Sequence, residues 1–208
     1  MTPVESYKRD LAQGGFQYDP AQERVVHYAQ ALYASLLQRD ELSLTFWQRW
    51  RHKPVAIKGL YIWGGVGRGK TYILDLLYCS LPTERKERVH FHQFMLDIHA
   101  SLRRLSNVEN PLQLVAKQSK QKVDIIFLDE FHVSDIADAM LLAGLLESFF
   151  ASGITLVTTS NIHTNNLYRD GLQRKRFLPA IELINKHTDV LELSDGVDYR
   201  KSLEVITG

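Results

Sequence analysis

At 208 residues, with 45% hydrophobic and 24% charged residues, the chain has the length and composition of one ordinary globular domain, or one domain with an appendage, and disorder is not the default reading. A net charge of +1 gives no overall electrostatic footprint for nucleic acid or an anionic membrane. The single cysteine, Cys79, excludes an internal disulfide framework and fits a reducing compartment; its apolar helical neighbourhood predicts a small buried core residue.

The first stretch, MTPVESYKRDLAQGG, lacks the apolar run of a secretory signal. The longest apolar segment, 136–157, is broken by Asp138, Glu147 and Gly153. No integral membrane segment is therefore expected, and a cytoplasmic location is the expectation. Asp19-Pro20-Ala21-Gln22 reads as a helix start, with Asp19 as N-cap, Pro20 at the first helical position and Gln22 closing a capping box. Val25, Ala29, Leu32 and Leu36 then recur at helical spacing, and Val26, Tyr33 and Leu37 widen the stripe. The pattern breaks at RDELSLTFWQRWRHK, where Trp47 and Trp50 beside Arg49, Arg51 and Lys53 read as an amphipathic insertion packing on the domain. Residues 1–54 are thus assigned to an N-terminal helical segment with an aromatic and basic insertion, and 55–208 to the core.

From Val55 onward strands and helices alternate. VAIKGLYIW predicts a strand and 70–81 a helix; RVHFHQF predicts a second strand, followed by helices around 95–105 and 111–120. VDIIFLDE is nearly continuous in apolar residues, which marks a central strand buried on both faces. A helix over 137–150, the strand GITLVTTSN, a helix over 177–187 and the strand DVLELS complete the series. Five strands with intervening helices predict an α/β fold with a parallel sheet covered on both faces.

The strongest chemical signal is GGVGRGKT. Gly64, Gly65, Val66, Gly67, Arg68, Gly69, Lys70 and Thr71 satisfy G-x-x-x-x-G-K-[ST] between a predicted strand and a predicted helix. Glycines let successive N–H groups face a polyphosphate, and the helix N-terminus favours the anion. Lys70 is expected on the β- and γ-phosphates of ATP and the Thr71 hydroxyl on Mg²⁺. Asp129 and Glu130 end the third predicted strand. Asp129 is expected to hold Mg²⁺, through water, and Glu130 to polarise the attacking water. Asn161, ending the fourth strand, would face the γ-phosphate beside Glu130 if that strand lies between the first and the third; otherwise it caps the next segment.

A GTPase is disfavoured because NKHTD, from Asn185, is one residue too long for the guanine-reading N-K-x-D. The letters D-E-x-H at Asp129–His132 suggest a helicase, but such an enzyme needs a second ATPase-like domain for which the chain has no room. The blocks GLYIWGGVGRGKT, ERVHFHQFMLDIHASL, DEFHVSDIADAMLL, GITLVTTSN, LYRDGLQRKRFLPAI and GVDYR resemble the ZapE family of bacterial cell-division ATPases, part of the AAA+ group that includes mitochondrial relatives. The resemblance runs from about Phe16 to Arg200.

It implies a P-loop NTPase fold of AAA+ type with strand order 5-1-4-3-2, ATP hydrolysis, and association with the FtsZ ring in cell division. It also implies Asn161 as a sensor of the γ-phosphate. Arg174 is matched to an arginine finger, in preference to Arg176, acting in trans on a self-associated neighbour. An ATP-gated binding adaptor with negligible turnover and a helicase-loader-like nucleic-acid ATPase are the alternatives, the second disfavoured by the near-neutral charge. His90 and His92 are assigned to packing or hydrogen bonding rather than metal, and Phe94 and Met95 to the core rather than a substrate-gripping loop. Tyr18–Gln22 falls where this class builds an adenine pocket, although helix capping alone accounts for its letters. Family members continue beyond GVDYR, so a C-terminal lid portion is expected to be missing, and IHTNN stands where a proline-containing turn is usual.

Overall fold

The computed structural model describes residues 1–14, 17–43, 56–105 and 107–193. Five parallel strands form one sheet: β1 (Gly59–Gly64), β2 (Lys86–His90), β3 (Ile125–Asp129), β4 (Thr155–Ser160) and β5 (Thr188–Leu193). Their order is β2-β3-β4-β1-β5, as the resemblance implied. Around them lie α1 (Pro3–Ala12), α2 (Pro20–Ser43), α3 (Lys70–Ser80), α4 (Phe91–Arg104), α5 (Pro111–Lys122), α6 (Ile136–Ala151) and α7 (Arg174–His187).

Strand alternation divides the core in two. Leu60, Ile62, Ile125 and Phe127 point into a cluster with α1, α2 and α3. Tyr61, Ile126, Leu128 and Leu156 point to the opposite face, under α4 to α7. The five residues of β3 are all buried, which is why its sequence is continuously apolar. α2 buries Val25, Val26, Ala29, Leu32 and Leu36 as its periodicity requires.

Several boundaries differ from the sequence reading. β2 stops at His90 and α4 begins at Phe91, because Phe91, Met95 and Ile98 recur at helical spacing and are buried together. His90 and His92 therefore do not share a strand face, and both are exposed rather than packed. Met95 is buried, and Phe94 meets the Phe149 ring edge-on at 5.9 Å, so both serve the core. α1 was not anticipated, although Thr2 and Glu5 form a full capping box that the letters T-P-V-E announce. Cys79 is exposed, contrary to expectation, because α3 turns Ile73, Leu74, Leu76 and Leu77 inward instead. Trp47, Trp50, Arg49, Arg51 and Lys53 lie outside the described residues, as does GVDYR.

Candidate functional site

The loop between β1 and α3 turns sharply, with Gly67 at φ 77° and Gly69 at φ 87°. Only glycine takes such angles without strain. Gly69 is the N-cap of α3 and supplies no side-chain hydrogen bond, so the first N–H groups of that helix are uncapped and face the cleft. The cleft is about 390 Å³, at the carboxyl edge of the sheet. It is lined by Val66, Gly67, Arg68, Gly69, Lys70, Thr71, Glu130, Thr159, Ser160 and Asn161. An uncapped helix start with a lysine in its mouth is a cradle that fits a polyphosphate.

Lys70 folds back over its own loop, donating from Nζ to the Gly64 carbonyl at 2.8 Å and the Gly65 carbonyl at 2.6 Å. Partial burial holds its pKa below the ordinary lysine value, and the Glu130 charge opposes that shift. An arriving phosphate would offer this ammonium a better acceptor than two neutral carbonyls.

Glu130 follows β3 at φ 58°, a left-handed conformation that costs a non-glycine residue about 1–3 kcal/mol. The strain is held by β4. Glu130 N–H donates to Thr159 Oγ1 at 3.1 Å, and Phe131 N–H to the Thr159 carbonyl at 2.7 Å. Ser160 Oγ donates to the Phe131 carbonyl at 2.8 Å. The result is a carboxylate 81% exposed, with His90 Nδ1 3.9 Å from its Oε2.

β4 does lie between β3 and β1, and Asn161 lines the same cleft as Glu130 and Lys70. Asp129 is placed differently. It is buried, does not line the cleft, and is held by Arg88, whose Nε donates to its Oδ2 at 2.6 Å and Nη2 to its Oδ1 at 3.2 Å. Thr71 does line the cleft. The Thr71 hydroxyl and Asp129 carboxylate are hard oxygen donors of the kind Mg²⁺ takes alongside phosphate oxygens and water. Among the described residues no group of three or more His, Cys, Asp or Glu gathers to hold a metal without a nucleotide.

Arg174 begins α7, outside its own chain's cleft, where its Nη2 donates to the Asn165 carbonyl at 2.7 Å. Arg176 is more exposed, its Nη1 donating to Gln173 Oε1, three residues earlier, at 3.0 Å. Before α7, a 3-10 turn at Thr164–Asn166 stands where proline was expected, and the His163 ring accepts from Asn165 N–H to cap it.

Three contacts escaped the sequence reading. Gln22 closes no capping box. Asp19 caps α2 alone, accepting from Ala21 N–H at 2.8 Å, while Gln22 Nε2 donates to the Arg68 carbonyl at 3.1 Å. Its Oε1 is buried without a hydrogen-bond partner among the described residues. Thr159, which seats Glu130, was visible only as one letter of TTSN. Arg88 lay inside a quoted block, but nothing in its spacing pointed to Asp129.

Comparison with known proteins bears on the family and the fold. The chain is 46% identical over 213 residues to "Cell division protein ZapE" of Escherichia coli (strain K12), covering 96% of this chain and 56% of that protein. It is 39% identical over 159 residues to "Lactation elevated protein 1 homolog B" of Danio rerio, covering 71% of this chain and 32% of that one. It thus spans about half or less of the length of these curated relatives. Among solved structures, DnaI superposes with a TM-score of 0.58 at 18% identity, over 85% of this chain and 87% of that one, a likeness of fold. The family model described as AFG1-like ATPase matches residues 1–204, and the chain belongs to the AFG1-like ATPase family.

Proposed function

We propose that this chain is a Mg²⁺-dependent ATPase that works on the bacterial division apparatus at the FtsZ ring. The observation that carries the catalytic part is the meeting of the phosphate loop, Glu130 and Asn161 in one cleft. In this reading the loop N–H groups and Lys70 bind the β- and γ-phosphates, and Lys70 leaves the Gly64 and Gly65 carbonyls to do so. Glu130, aimed by its left-handed backbone, accepts the proton of the attacking water. Asn161 orients that water or registers loss of the γ-phosphate. Mg²⁺, held by Thr71 and by Asp129 through water, would neutralise developing charge on the phosphate oxygens. Arg174 reaches a neighbouring copy's nucleotide, so activity depends on self-association.

The division role, FtsZ as partner and a cytoplasmic site of action rest on the likeness to ZapE, a cell division protein. No helix among the described residues is long and apolar enough to cross a membrane. The test is phosphate release with and without FtsZ polymers, for the wild type and Glu130→Gln. Glu130→Gln is expected to keep ATP binding and lose about 10²–10⁴ in turnover. Unchanged turnover would remove Glu130 as the base. A wild type that binds ATP without turnover, with or without FtsZ, would make the chain a nucleotide-gated adaptor.

A further inference from the structure

Asp129 is an unusual place to find a bound guanidinium. Its side chain is 10% exposed, and Arg88 already engages both carboxylate oxygens. Arg88 stands on the edge strand β2, two residues before the register partner of Asp129, so its side chain rises on the same face and reaches along the sheet. The third guanidinium nitrogen, Nη1, donates to Asp75 of α3, one helical turn beyond Thr71. One cation therefore ties β2, β3 and α3 together behind the phosphate loop.

We propose that Arg88 is a positioning residue that neutralises and orients Asp129 while the site holds no divalent cation, and that the cation and Arg88 then share that carboxylate in competition. This rests on the assignment of Asp129 to Mg²⁺ made above. The physical ground is charge balance. A carboxylate this buried is costly when unpaired. In the cation-free protein Arg88 is the counter-charge within reach of both its oxygens. A divalent ion arriving nearby supplies that counter-charge and is repelled by the guanidinium. Arg88 thus protects the empty site and limits how tightly it takes the ion.

A plain structural ion pair predicts something else. Its loss would destabilise the protein equally with and without cation, whereas loss of a competing counter-cation matters most when the ion is absent. The experiment is thermal unfolding of the 208-residue chain in saturating ADP, with EDTA or with Mn²⁺, for wild type, Arg88→Gln and Arg88→Lys. Mn²⁺ affinity is read in parallel from the paramagnetic resonance of the free ion. Arg88→Gln is expected to melt roughly 6–20 °C below wild type in EDTA. That gap should shrink by at least about half in Mn²⁺, with Mn²⁺ bound at least roughly tenfold more tightly than by wild type. Arg88→Lys, which keeps the charge, should keep the wild-type response to Mn²⁺.

Equal gaps in EDTA and Mn²⁺, or a lysine variant that behaves like the glutamine variant, would overturn the proposal. If Arg88→Gln fails to fold in EDTA, Mn²⁺ with ADP must restore folding; failure in both conditions also overturns it. A wild type whose ADP binding ignores Mg²⁺ would instead remove the cation role of Asp129 itself. Mg²⁺-dependent ADP binding with a cation-independent Arg88→Gln defect would sink the Arg88 proposal alone.

Discussion

The Gln22 side-chain amide donates to the Arg68 carbonyl at 3.1 Å, stitching the first turn of α2 to the phosphate loop across 46 positions of sequence. An ion pair between Arg68 Nη2 and Asp19 Oδ2, at 3.7 Å, joins the same two segments. A Cβ on Gly69 would stand 2.7 Å from Gln22 Nε2, so the helix start and the loop are packed as well as bonded.

That packing predicts a non-additive pair. Gln22→Ala should cost about 0.5–1.5 kcal/mol for the lost hydrogen bond. Gly69→Ala should cost about 1–3 kcal/mol, because φ 87° strains any side chain and Gln22 must also move. The double variant should fall short of the sum, since without the glutamine only the backbone strain remains. Urea unfolding of the three variants reads this directly; strict additivity would mean that the two side chains do not meet.

Arg174 and Arg176 make opposite predictions in solution. If Arg174 acts on a neighbour, the ATPase rate per subunit rises with protein concentration. Arg174→Ala should abolish that rise and lower the plateau by about 10³ or more. Arg176→Ala removes a contact with Gln173, three residues earlier on the same chain, and should stay within a few-fold of wild type. A concentration-independent rate in wild type would exclude a finger in trans.

Acid stability should carry the mark of Asp124. Burial pushes its pKa up, but hydrogen bonds from Arg85 and Lys120 outweigh that and leave it below the ordinary value. The folded pKa thus lies beneath the unfolded one, near 3.9. The stabilisation is full above about pH 4 and is lost as pH falls through the folded value. Asp124→Asn should lower the melting temperature at pH 6 and flatten its decline below pH 4. An unchanged acid limb would assign that decline to other carboxylates.

Cys79 offers a simple check on α3. Exposed on the native surface, it should take up one equivalent of an aromatic disulfide reagent without denaturant. Labelling seen only after unfolding would place it back in the core.

What the sequence disclosed and what it hid divide along local and non-local lines. The phosphate loop was legible because all eight of its residues are contiguous and their spacing has one physical use. β3 was legible from its apolar run, and α2 from its stripe. The end of β2 was misplaced because VHFH alternates like a strand, while the helical spacing of Phe91, Met95 and Ile98 needs a longer window to appear. Gln22 was assigned to a local cap because a capping box is written within one helical turn, whereas its true partner lies on another element. Arg88 needed the register of β2 on β3 and the placement of α3, which no run of letters contains. Asn161 depended on strand order, and only the family resemblance supplied that in advance.

α2 gives the loop contact a mechanical meaning. Its first turn holds Arg68, and nineteen residues after Pro20 Arg39 Nη1 donates at 3.5 Å to the Gly153 carbonyl, just before β4 enters the sheet from the opposite edge. At 1.5 Å per residue the two anchoring residues, Gln22 and Arg39, are about 26 Å apart on one uninterrupted rod. A tilt of about 2° where it grips the phosphate loop would sweep the far end through about 1 Å. A shift too small to disturb the cleft would thus be magnified where Arg39 meets Gly153, at the entry to β4.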